Sequence, residues 1–415
     1  MTRLLPLAAA LIFIVGCLPV APDAVPDAGI IVEATLLPDG GQATWYRDVL
    51  PVAQVRCQGC HAVGGIAPFP MDTYASVKSS FAQIGNAASS RRMPPWMPNE
   101  ACGMSYRDSR RLSQAEIDVF AAWAAGGGLE GNPADAPPAF KQDALEWVDA
   151  TVAPVSSYTP SATLTDDYHC FLVDPNLTAP QSVVGYEVIP GQRNEVHHVL
   201  IFAVDKADAV AKDSAEPGEG WTCFGASGID KAVLIGGWVP GTAKVSYPAG
   251  TGIALPAGKV FAMQIHYNTS AASRSPDTTT VKLQYARAPV IPATLLPLAD
   301  FLWSIPPNSM AFTPVGQPKD FPNSLGFDAK VWGVLPHMHQ KGKRITVTGP
   351  NACLVDIPQW DFHWQQQYFF NQPQVVKQGQ KVTLSCTWDN PTPRTVTWGE
   401  STEDEMCLAY LYVTH

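Results

Sequence analysis

Beyond residue 168 the chain alternates apolar and polar positions in short runs, at 182–188, 198–204, 260–267, 280–285, 331–335, 344–347, 381–386 and 406–413. A period of two marks a strand with one buried face. Turn pairs separate the runs, among them Pro190-Gly191, Pro240-Gly241, Gly349-Pro350 and Asn390-Pro391. Many short strands punctuated in this way read as antiparallel sandwiches. The stretch is too long for one small sandwich, so two are expected, over 165–291 and 292–415, with no sequence repeat between them. Upstream the period changes. Leu112, Ile117, Phe120 and Trp123 form a helical stripe, Ser113 and Glu116 form a capping box, and Gly126-Gly127-Gly128 ends the run. A compact helical unit is therefore expected over 43–130, joined to the strands by a Pro-rich connector, 131–164. The fold class is multidomain: a small all-α unit, then two all-β sandwiches.

Composition agrees with strands and turns: 46% hydrophobic and 15% charged residues, with 38 prolines and 32 glycines, leave little Glu, Lys and Arg for helical bundles. A net charge of −10 without a basic patch excludes a nucleic-acid partner. Residues 1–17 read as an address rather than structure, with Arg3 ahead of an apolar run over 4–15. That run ends Ile14-Val15-Gly16-Cys17, which resembles a bacterial lipobox, whose cysteine becomes a diacylated N-terminus; the alternative is an ordinary signal peptide. Both imply export, to the bacterial periplasm or cell envelope, with membrane attachment only through a lipid on Cys17. Leu18 in place of Asp gives no mark of inner-membrane retention, and residues 18–42 read as a flexible linker. No later stretch reaches the roughly 18 apolar residues of a membrane span. Export places the remaining cysteines where disulfides persist.

Cys57-Gln58-Gly59-Cys60-His61 has the CxxCH pattern, in which two thiols add to the haem vinyl groups and the His takes an axial position. The other readings are a redox CxxC or half of a zinc site. Zinc would need two more ligands, and 43–130 holds no other His and only Cys102. A sixth iron ligand has to come from Met71, Met93, Met97 or Met104. Met93 lies in Arg91-Arg92-Met93-Pro94-Pro95-Trp96, where two prolines stiffen the loop, so it is preferred, with Met97 next. With its CxxCH near the start, a Met loop and a closing helix, the segment resembles a small, class I-like cytochrome c domain carrying one covalent haem c.

Nine histidines occur, and five besides His61 fall in three compact contexts: Glu195-Val196-His197-His198-Val199, Gln264-Ile265-His266-Tyr267 and Pro336-His337-Met338-His339. Residues two apart on a strand share a face, so His337 and His339 can meet one ion. Adjacent residues face opposite ways, so His197 and His198 reach one ion only at a strand end or bulge. A single His on an apolar strand is more often a satisfied core residue; three such contexts in one chain favour a transition metal.

The ordered set His-His, Gln-x-His-Tyr, His-x-His and Asp404-Glu405-Met406-Cys407 resembles the copper type II, ascorbate-dependent monooxygenases, the peptidylglycine α-hydroxylating and dopamine β-monooxygenase family. The resemblance spans about 165–415 and implies two jelly-roll-like sandwiches side by side. It implies two copper ions: His197, His198 and His266 would hold one that relays electrons, and His337, His339 and Met406 one where O₂ and substrate react. Tyr410 would line the substrate side and Gln264 would lie near the relay copper. It also implies disulfides Cys386–Cys407 and Cys170–Cys223, leaving Cys102 and Cys353 either free or joining the haem unit to the second sandwich. His169, His363 and His415 match no ligand and read as structural or solvated, and Trp360 to Trp364 as sandwich core.

Two departures bear on substrate. The family's peptide-amidating members carry an Arg two before His-x-His and an Asn two after the Met; here these are Leu335 and Leu408. A small, more apolar substrate than a peptide C-terminus is expected. The resulting expectation is a copper monooxygenase that hydroxylates a C–H bond with O₂, its electrons coming from ascorbate, another donor or the fused haem. The alternatives are a non-catalytic haem/copper electron-transfer or copper-binding lipoprotein, and a cell-surface module without metal. Met406 argues against both, since a thioether beside two imidazoles suits Cu(I) and O₂.

Overall fold

A computed structural model describes residues 42–415 except 64–66, 140–143, 241, 243, 270–273 and 400. The leader, Cys17 and the linker up to residue 41 lie outside the described residues.

Strand dominates. The eight runs read from the sequence fall on observed strands, including Gln181–Ile189, Val196–Asp205, Lys259–Asn268, Ala329–His337 and Leu408–Thr414. Their connection differs from the expected side-by-side sandwiches. One nine-stranded sheet runs through both halves: Ala150–Val152, Thr280–Tyr285, Gln181–Ile189, Thr251–Leu255, Ile291–Ala299, Leu408–Thr414, Ala329–His337 and Tyr368–Val376, with Val245–Ser246 beside Gln181–Ile189. Ile291–Ala299 makes the junction. It pairs parallel with Thr251–Leu255 on one side and antiparallel with Leu408–Thr414 on the other. Two separate sandwiches would each leave an open edge here; cross-pairing satisfies those backbone groups instead.

Two five-stranded sheets complete the layers. One is built from Trp221–Thr222, Asp166–Val173, Lys259–Asn268, Val196–Asp205 and Val233–Trp238. The other is built from Ser309–Phe312, Lys319–Pro322, Lys381–Asn390, Gly342–Thr348 and Cys353–Ile357. The first core packs Phe171, Ile201 and Met263 against Tyr186, Leu283 and Tyr412; the second packs Ile345, Leu384 and Trp388 against Val331, Val334 and Leu411.

The all-α cytochrome c-like domain of the expected fold class is corrected as well. Between residues 43 and 130 the helices are few and short: Trp45–Val49, Leu50–Arg56, Tyr74–Val77, Phe81–Ser89 and Gln114–Ala125. The last has the predicted capping box, with Ser113 accepting from the Glu116 amide and Glu116 accepting from that of Ser113. Trp45 and Trp123 centre a small core. Apart from a single 3-10 turn, Glu100–Cys102, the chain between the last two helices is irregular, because Pro94, Pro95 and Pro98 deny it helical hydrogen bonds. It lies on the second half instead. Asn99 N–H donates to Asp356 O (2.7 Å), Arg107 N–H donates to Phe369 O (2.8 Å), Tyr106 bridges Phe370, and Cys102 is bonded to Cys353. No cytochrome c-like all-α domain is evident among the described residues.

Candidate metal centres

His197 and His198 sit at the start of Val196–Asp205, and His266 sits on its antiparallel neighbour Lys259–Asn268 with His198 opposite. The register shifts between Val196 and His198. That irregularity turns both adjacent rings toward His266, as a regular strand could not. His197 Nδ1 lies 3.3 Å from His198 Nδ1, and His266 Nδ1 lies 3.4 Å from it. One ligand atom from each ring falls within 4.8 Å of the others.

The far nitrogen of His266 explains its tautomer. Its Nε2–H donates to Asp166 Oδ1 at 2.9 Å, leaving the Nδ1 lone pair aimed at the other two rings. Asp166 also accepts from Asn268 Nδ2 (3.0 Å), and the His266 ring stacks on Tyr168 at 4.0 Å. Burial holds all three imidazoles neutral: it pushes His197 down to about 3, His198 well below the usual histidine range, and lowers His266. Facing lone pairs that resist protonation fit a cation between them, and three imidazoles suit copper in either oxidation state.

The second group forms around the strand ends. His337 closes Ala329–His337 and pairs with Leu408, and beyond that pair the backbones of His339 and Met406 both donate to Glu405 Oε2. The His337 and His339 rings lie 5.2 Å apart. His337 Nδ1–H donates to Gln365 Oε1 (2.5 Å), leaving it the Nε2 lone pair, and His339 Nδ1–H donates to Asp404 O (3.3 Å). Cys386–Cys407 pins the Met406 strand to the opposite sheet, and Cys170–Cys223 ties the first half. Buried Glu405 fixes the backbone. It accepts from His339 N–H (3.0 Å), Met406 N–H (3.3 Å), Lys341 N–H (2.5 Å) and Trp388 Nε1–H (2.9 Å). Burial pushes its carboxyl up to about 7, against these four donors.

Both groups open on one cavity of about 430 Å³, lined by His198, His337, His339 and Met406. Gln264, Tyr410, Leu335 and Leu408 line it too. Gln264 donates to Ala226 O (3.0 Å), and its buried Oε1 has no protein partner. His169 Nε2–H donates to Glu219 O and the ring stacks on Tyr158, a structural role, while His363 is exposed beside Asp361.

Sequence reading missed two residues. Trp360 belongs to the second core as expected, but Phe362 stacks on His197 at 4.6 Å and lies 6.1 Å from His339, between the two groups. Gln365 orients His337. Neither follows a periodic pattern, so only their proximity to the histidines reveals them.

The CxxCH residues share one helical turn, in which His61 N–H donates to Cys57 O (2.9 Å). Both thiols are free, and His61 Nδ1–H donates to Phe69 O (2.8 Å), leaving Nε2 available. Of the candidate methionines, Met71 lies beside the motif, its N–H donating to His61 O (2.8 Å); the preferred Met93 and its runner-up Met97 lie elsewhere. Met93 and Met97 line a separate cavity of about 260 Å³ that none of Cys57, Cys60 and His61 enters. The Met97 sulfur accepts from Asp361 N–H at 3.3 Å.

Neutral buried histidines make acid costly for the metal-free fold. His197 and His339 are held at about 3 when folded and return to about 6.5 when unfolded, so below about 6.5 the unfolded chain binds more protons. Glu405, raised from 4.5 to about 7, works the other way between those values, one group against two. We expect the urea midpoint of metal-free protein to be flat above about pH 7 and to fall as pH drops below about 6.5. A midpoint that rises on acidification through this window would contradict the burial of the cluster.

Comparison with known proteins shows what the chain is similar to. Residues 303–414 match the family model of the copper type II ascorbate-dependent monooxygenase C-terminal domain. DBH-like monooxygenase protein 2 of Mus musculus is 25% identical over 271 residues, covering 59% of this chain and 42% of the relative. DBH-like monooxygenase protein 1 of Gallus gallus is 25% identical over 248 residues, covering 52% and 39% respectively. The chain thus spans about two fifths of the length of the curated relatives it matches. Among solved structures, the major capsid protein P2 from bacteriophage PM2 shares 8% identity at a TM-score of 0.26, over 64% of this chain and 97% of that one. The matched domain model and the monooxygenase relatives support the copper type II ascorbate-dependent monooxygenase family for this chain.

Proposed function

We propose that the chain is a copper monooxygenase that hydroxylates a C–H bond of a small, apolar organic substrate with O₂. One oxygen atom enters the substrate and the other leaves as water, which takes two electrons and two protons beyond those of the substrate; ascorbate is the proposed donor. The observation that carries the reading is the single cavity shared by His198 and by His337, His339 and Met406.

In this reading His197, His198 and His266 hold one copper, and His337, His339 and Met406 the other. Bound copper supplies one-electron redox chemistry and O₂ activation. The protein's part is orientation and exclusion of water. Asp166 fixes the His266 tautomer, Gln365 that of His337, and Glu405 aligns the backbone of His339 with that of Met406. Leu335, Leu408 and Tyr410 give the cavity apolar walls, and Phe362 fills the space between the groups.

The finer reading adds a haem c on Cys57 and Cys60 with His61 as axial ligand, delivering electrons to the three-imidazole copper. Two free thiols and an available His61 Nε2 support it. Three disulfides suit an oxidising compartment, and no helix among the described residues is long and apolar enough to cross a membrane. Bacterial export with a lipid on Cys17 is the corresponding proposal.

The test is metal analysis of the purified chain with oxygen uptake and product analysis under ascorbate. Two coppers per chain and a hydroxylated product are expected. Two coppers without oxygen uptake would favour a non-catalytic electron-transfer protein, and a chain that refuses copper would end the proposal. For the haem, copper reduction by ascorbate that is unchanged in a copper-loaded His61→Ala protein would remove its role as donor.

A further inference from the structure

The cavity has a wall that neither copper-binding half supplies. Trp96, Arg107 and Arg110 line it, and all three come from the irregular segment ahead of the helix Gln114–Ala125. This lies outside the matched region, residues 303–414. Trp96 is wedged edge-on between Tyr106 (5.9 Å) and Tyr368 (5.3 Å). It also lines the second cavity, beside Met93 and Met97, so its indole stands between the two spaces.

The segment is fastened rather than draped. Besides Cys102–Cys353, Asn99 Nδ2–H donates to Asp356 (2.9 Å) and Tyr106 O–H to Leu354 O (3.0 Å). Asn371 N–H donates to Ser105 O (3.1 Å). Arg107 reaches the first half by donating to Ser246 O, and its guanidinium lies 5.1 Å over the Phe369 ring. A segment held by this many bonds, with the Trp96 ring packed against Tyr106 and Tyr368, presents a fixed surface, which is what discrimination between substrates needs.

We propose that Trp96 is a specificity-determining residue: its indole limits the length of an uncharged, apolar substrate lying in the cavity beside His337, His339 and Met406. The inference rests on the reading of that cavity as the substrate site. Its chemistry follows from the lining. Trp96, Leu335, Leu408 and Trp238 offer apolar area, and of the cationic groups that also line it, Arg107 is engaged by Asp108, Ser246 O and the Phe369 face, Lys244 donates to Ala144 O (2.9 Å), and Arg110 has a partner of its own.

The test measures binding of toluene and butylbenzene, with benzoate as the anionic comparator, to the full chain with and without copper, under argon so that no turnover occurs. Wild type should prefer toluene, and Trp96→Ala should raise butylbenzene affinity relative to toluene by about fiftyfold, since three added methylenes gain a place to be buried. Trp96→Phe, which keeps an aromatic wall and covers the case in which the alanine protein does not fold, should shift the ratio in the same direction by less. An unchanged ratio in both variants, tighter binding of benzoate than of toluene, or no binding of either hydrocarbon to wild type would overturn the proposal. A shifted ratio in a protein that hydroxylates nothing would instead sink the monooxygenase reading, and hydroxylation with an unshifted ratio would sink this one.

Discussion

Replacing Met406 by isoleucine should leave one copper per chain instead of two and reduce hydroxylation by at least about 10³-fold, because a catalytic metal supplies several kcal/mol of transition-state stabilisation. Met406 is 5% exposed and packed among strand ends, so a branched apolar side chain of similar volume keeps the fold while removing the sulfur. His197, His198 and His266 belong to the other half's five-stranded sheet and retain their geometry. Copper content and product yield measured on the same preparation decide the matter. Two coppers with undiminished turnover would show that the thioether is only packing.

The second large effect concerns Glu405, which touches no substrate. Changing it to leucine strands four N–H donors in a buried site, those of His339, Lys341, Met406 and the Trp388 ring. An unsatisfied buried donor costs about 1–3 kcal/mol, and breaking a buried charged network costs about 3–5 kcal/mol in all. We expect a loss of about 4 kcal/mol in denaturant unfolding, accompanied by loss of copper at the His337–His339–Met406 group. Glu405→Gln should lose less, since one amide oxygen still accepts although its NH₂ faces the remaining donors. A leucine protein within about 1 kcal/mol of wild type would mean that the backbone of this site is held by other means.

What could be read from the sequence was whatever repeats along one strand. Alternation located Lys259–Asn268 and Ala329–His337 to within one or two residues. The adjacency of His197 and His198 implied a strand end or bulge, and the register shift after Val196 has that form. Facts carried between distant strands were harder to see. Nothing in Ile291–Ala299 announces that it pairs with Thr251–Leu255 as well as with Leu408–Thr414, because edge pairing depends on backbone groups that all residues share. The CxxCH motif misled as to fold. Three prolines and long irregular stretches replace the expected all-α unit, and the segment spends its side chains on the neighbouring sheet. Phe362 and Gln365 escaped because each meets the histidines through one close approach rather than through a pattern.

The bond between Cys102 and Cys353 spans 251 positions of the chain. A polypeptide emerging N-terminus first therefore makes Trp96 and Cys102 long before the strand that will receive them exists. During that interval the nascent cysteine has no native partner, and Cys57 and Cys60 are the nearest thiols it could wrongly oxidise with. Docking of this segment thus depends on a late event, the arrival of residues 353–371, and the pocket waits longer still, for Met406, Leu408 and Tyr410.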